Sequence, residues 1–103
     1  NEPIILETSY IPLKYFSGLT ENMLYHSSLY DVMQKEFDVT VTAAKESFEP
    51  VLIRDYESNL LHVKRGNPAL LLDRIAYDNL GNPVEFCRSI IRGDRCRFYT
   101  ELL

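Results

Sequence analysis

No apolar run in this 103-residue chain approaches the length of a bilayer-spanning helix, so a membrane-embedded role is not expected. The opening residues Asn1, Glu2 and Pro3 lack the charged and apolar regions of a secretory signal, and a cytoplasmic setting is the expectation. Basic charge is also scarce: 11 Lys and Arg stand against 15 Asp and Glu, a net charge of −4. Only Arg92, Arg95 and Arg97 cluster, which argues against a nucleic-acid phosphate backbone as a partner of this stretch. There are just two cysteines, Cys87 and Cys96, without metal-type spacing. They read as reduced packing residues, and neither a metal nor a cofactor is expected. Internal repeats and low-complexity linkers are absent from the sequence.

What is present is enough for one domain with a modest core, at 46% hydrophobic and 12% aromatic residues. The chain is organised around Leu70–Phe98, two strand-like runs about a turn of Asp78, Asn79, Gly81 and Asn82, with Pro83 opening the second run. Alternation in that run puts Val84, Phe86, Arg88 and Ile90 on one face and Glu85, Cys87, Ser89 and Ile91 on the other. Glu85 therefore falls on an otherwise small or apolar face, where a carboxylate needs a reason.

Pro3–Tyr10 reads as a strand, with Glu7 on the face of Ile5 and Ser9; a Glu on the wet side of a strand is the common case. Leu13–Asn22 reads as a loop whose Tyr15, Phe16 and Leu19 can cover a core edge. Ser28, followed three residues later by Asp31, reads as a helix cap ahead of a buried stripe of Leu29, Val32, Met33 and Phe37. The same exposed amides could instead receive an anion, with the Ser28 hydroxyl as an added donor. On the residues alone the cap is the commoner case. A long strand is expected over Val39–Val51, a short helix over Ile53–Leu61 with Tyr56, Leu60 and Leu61 on one side, and a last helical turn or strand over Arg95–Leu103. This order of elements predicts an α+β fold, an antiparallel sheet covered by helices.

Five segments, Glu7–Pro12, Ser28–Tyr30, Gly66–Pro68, Tyr77–Glu85 and Arg92–Phe98, together resemble the effector-binding (UTRA) domain of HutC-type regulators in the GntR superfamily. The resemblance implies a chorismate-lyase-like fold and a small-molecule sensor, usually a homodimer, that controls DNA binding allosterically. It also implies that a winged-helix DNA-binding domain and the sensing domain's first strands lie outside residues 1–103, so that DNA is a partner only through that other domain. In phosphosugar-sensing relatives the serine at the helix start meets the phosphate, which implies Ser28 and Tyr30 here and raises the anion reading above the cap. Glutamates at the positions of Glu7 and Glu85 meet ligand hydroxyls or amines. Glu85→Ala is accordingly expected to weaken binding while leaving stability nearly unchanged. Arg92 and Asp94 read as a structural pair closing the strand, with Arg92 also a candidate ligand contact. Relatives often carry an aromatic residue where this chain has Ile91, so a differently substituted metabolite is also open. The competing reading is a lyase-like enzyme on the same fold, with Glu7 and Glu85 as acid and base; a plain dimerisation module is the third. His26 and His62 lie outside the matched segments and read as surface or packing residues.

Overall fold

Four strands hydrogen-bond in the order β1-β4-β3-β2, and two α-helices accompany them. A computed structural model describes residues 2–103. The elements are β1 (Ile5–Tyr10), α1 (Leu29–Phe37), β2 (Val41–Leu52), α2 (Asp55–Leu61), β3 (Pro68–Asp78) and β4 (Pro83–Arg92). Short 3-10 turns occupy Leu13–Tyr15, Glu21–Leu24 and Gly93–Arg95. This is the α+β arrangement the sequence predicts. Sheet position explains burial: β4 is flanked on both sides and is buried along most of its length, whereas β2 lies at an edge and is exposed along most of its own.

The chain forms two compact units. One comprises the residues up to Thr8, Ser47–Asp73 and Arg88–Leu103. Its core is Ile53, Leu61, Ala69 and Ile90, with Leu6, Val51, Val63 and Leu71 packed around them. Here α2 departs from expectation. Its inward residues are Glu57 and Leu61, one turn apart, while Tyr56 and Leu60 are exposed. Glu57 is tolerated in the interior because Arg54 neutralises it: the backbone N–H donates to Oε1 at 2.9 Å, and the guanidinium donates from Nη2 to Oε2 at 2.7 Å. Arg54 thereby holds the Glu57 carboxyl below the usual carboxylate range, against the opposing effect of burial. Beyond Arg95 the expected turn or strand does not form, and residues 96–103 have no regular structure. Tyr99, Leu102 and Leu103 remain exposed and so lack the burial that would fix such an element.

The other unit comprises Ser9–Glu46 and Arg74–Cys87. Phe16, Met33 and Val84 are its buried centre, surrounded by residues that include Ile11, Leu29, Phe37 and Val41. The segment read as a loop supplies the centre itself, since Phe16 is only 1% exposed and meets Phe37 edge-on at 5.4 Å. Helix α1 starts where the cap pattern places it. Ser28 has extended backbone and its Oγ accepts the Asp31 N–H at 3.2 Å. The hairpin turn is held by Asp78, whose Oδ1 accepts from the Leu80 and Asn82 amides at 2.9 and 2.8 Å, while Gly81 adopts φ 82°.

Candidate functional site

Glu85 is the second residue after Pro83 on β4, and it is buried at 6% exposure. Two hydroxyls satisfy it. Ser9 Oγ, on β1, donates to Oε2 at 2.8 Å, and the Tyr30 phenol, on the first turn of α1, donates to Oε1 at 2.6 Å. Removal of the carboxylate would leave both hydroxyls without their acceptor, so Glu85→Ala carries a stability cost that the sequence reading did not expect.

Tyr30 is itself perturbed. Burial raises its pKa above the ordinary phenol value, and the bond to Glu85 adds to that effect; Arg74 opposes it. Arg74 on β3 donates from Nε to Glu46 Oε2 on β2 at 2.9 Å. Glu85 thus joins Ser9 and Tyr30, and Arg74 pairs separately with Glu46. All five belong to the unit of residues 9–46 and 74–87.

Of the five residues expected in a ligand site, Tyr30 and Glu85 touch directly, and Ser28 caps the helix that carries Tyr30. Glu7 is exposed on β1 and belongs to the first unit. Arg92 belongs there as well, 7% exposed, and its guanidinium is engaged by the chain itself: Nη2 and Nε donate to Asp94 at 2.8 and 3.0 Å, and Nη1 to the Pro3 and Leu61 carbonyls at 3.3 and 3.5 Å. Of the two roles read for Arg92, the structural pair with Asp94 is the one this geometry supports. Ser9 was missed, and the available signal was its place on the face of Glu7.

Neither cysteine forms a disulfide, with Cys87 buried and Cys96 partly so. Among the described residues no cluster of His, Cys, Asp and Glu suits a metal ion, and no helix is long and apolar enough to cross a membrane.

Residues 1–97 match the sequence pattern described as the UTRA domain. The chain belongs to the UTRA domain family. It is 33% identical over 96 residues to the HTH-type transcriptional repressor NagR of Bacillus subtilis, covering 93% of this chain and 39% of that repressor. The ligand-binding domain of a putative GntR-family transcriptional regulator from Bordetella bronchiseptica superposes with a TM-score of 0.88 at 30% identity, over 99% of this chain and 66% of that one. The effector domain of PhnF from Mycobacterium smegmatis gives 0.88 at 29% identity, over 97% and 61%. This UTRA domain therefore spans about two fifths of the repressor it matches and about two thirds of the solved ligand-binding and effector domains. The relatives are repressors, and the chain stands with regulatory domains rather than enzymes. The fold agrees with the chorismate-lyase-like α+β architecture that the resemblance implies.

Proposed function

We propose that this UTRA domain senses a small anionic metabolite of the phosphosugar class and passes the signal to the DNA-binding part of a HutC-type regulator. The observation that carries the reading is the pairing of Glu85. Its carboxylate is buried and is met by the neutral hydroxyls of Ser9 and Tyr30, in contrast to Glu57, which is clasped by a guanidinium. Ligand hydroxyls have the same donor chemistry and can exchange with those of Ser9 and Tyr30 at similar free energy. A guanidinium clasp offers no such exchange with a neutral group. Tyr30 links this carboxylate to the helix start at Ser28, where amides without intrahelical acceptors suit a phosphate.

In the complete regulator, effector binding shifts the population of states that position the DNA-binding domains and so changes operator affinity. The unpaired edge of the sheet and the family's habit support a homodimer acting in the cytoplasm. The test is thermal unfolding of the full-length protein with a panel of phosphosugars and the corresponding neutral sugars. A ligand at about 100 times its Kd adds roughly 2.7 kcal/mol to the folded state, so a phosphosugar should raise the melting temperature and its neutral counterpart should not. No response to any phosphosugar would contradict the reading.

A further inference from the structure

The first unit holds a cavity in which the proposed sensing of a phosphosugar has no part. Its volume is about 260 Å³, and its floor is Leu6, Val51, Leu71 and Ile90, side chains of that unit's core or packed against it. Two guanidiniums line it as well, those of Arg54 and Arg88. Each is bonded to a carboxylate of the chain. Arg54 donates from Nε and Nη2 to Glu57 Oε2 at 3.0 and 2.7 Å, and Arg88 donates from Nε and Nη2 to the two oxygens of Asp73, each at 2.8 Å. These pairs fix where the two cations stand, yet the side chains stay open to solvent, Arg54 at 78% and Arg88 at 53% exposure. Tyr56 of α2 also lines the space, so its exposed ring, which no packing explains, adds an apolar wall.

We propose that this cavity is a second small-molecule site, for a monocarboxylate with a short aliphatic or single-ring body. It shares no residue with the Glu85 site, and all the residues that line it belong to the first unit. An apolar floor offers water no partners and favours a hydrocarbon body. The volume lies just below the usual range for ligand pockets, which leaves room for one ring or a short chain. Arg54 supplies donors for the head group, because a guanidinium carries five N–H groups and the bonds to Glu57 engage only two of its nitrogens. Arg88 adds positive potential at the same cavity. Glu57 and Asp73 already offset much of that charge, so a guest with one negative charge matches the remainder better than a phosphate with nearly two.

The test is NMR titration of the full-length protein, labelled at its Ile, Leu and Val methyls, with hexanoate, benzoate and the neutral hexanol. At least one of the carboxylates should give saturable shifts at Leu6, Val51, Leu71 and Ile90. Hexanol should bind roughly 10-fold or more weakly than hexanoate, having no charge for Arg54 to meet. Removal of Arg54 alone would strand a buried carboxylate, so its role is tested in the double variant Arg54→Met with Glu57→Gln, where hexanoate should bind no better than hexanol. Thr8→Trp, at an exposed strand position that lines the cavity, should fill it and abolish the shifts. Absence of saturable shifts with both carboxylates would overturn the site, as would an unchanged titration in a natively folded Thr8→Trp. Equal affinity of the wild type for hexanoate and hexanol would overturn the carboxylate assignment. No phosphosugar enters this titration, so its failure would leave the sensing role standing, and failure of that role would leave this site untouched.

Discussion

Tyr30 donates its phenolic proton to the Glu85 carboxylate at 2.6 Å. The Tyr30 pKa is raised by burial and by Glu85, so the folded state favours the neutral phenol. The stability this contributes is fully present below the phenol's unfolded pKa of about 10 and is lost as pH rises through the higher folded value. Denaturant unfolding across that alkaline range should fall more steeply for the wild type than for Tyr30→Phe, and parallel profiles would contradict the coupling. At neutral pH, Tyr30→Phe should itself cost about 1.5–3 kcal/mol, the usual value for a hydrogen bond to a charged group. Strand alternation was enough to place Glu85 on a covered face in the sequence. Its partners were not legible, because Ser9 and Tyr30 lie 76 and 55 residues away and no local period encodes such contacts.

At the scale of elements, the strands and both helices were readable from period and cap chemistry, whereas the inward face of α2 was not. A hydrophobicity pattern groups Tyr56, Leu60 and Leu61 on one side. The structure buries only Leu61 of the three, because Arg54, at the helix start, neutralises Glu57 and lets the one-turn pair Glu57 and Leu61 point into the core. Glu57→Ala should therefore destabilise the domain by about 1–3 kcal/mol, measured by urea unfolding, since it removes both the packing and the acceptor for the Arg54 amide. The carboxyl's lowered pKa fixes the sign with pH: its contribution is present above the ordinary carboxylate range and disappears as pH falls through the lowered value. At the end of β4, a Cβ on Gly93 would come within 2.5 Å of the Pro68 carbonyl oxygen. Gly93→Ala is expected to lower stability by about 1–3 kcal/mol because backbone must shift to admit it. An unchanged urea midpoint would show that the strand end yields more easily than this contact suggests.

For the whole molecule, the family was legible from five short segments in order, none of them decisive singly, and the match over residues 1–97 agrees. The ligand was less legible because the residues that would bind it are mostly also structural: Ser28 caps α1, and Glu85 ties three elements together. Function and stability overlap there, so a useful substitution must separate them. Glu85→Gln does so, because it keeps an oxygen acceptor and the side chain's shape while removing the charge. The most direct measurement is calorimetric titration of the full-length protein and its Glu85→Gln variant with the phosphosugar that most raises the wild-type melting temperature. A loss of about 1.5–3 kcal/mol, roughly 10- to 150-fold in Kd, is predicted for a variant that still folds. Equal affinity in the two proteins would show that the effector does not use Glu85.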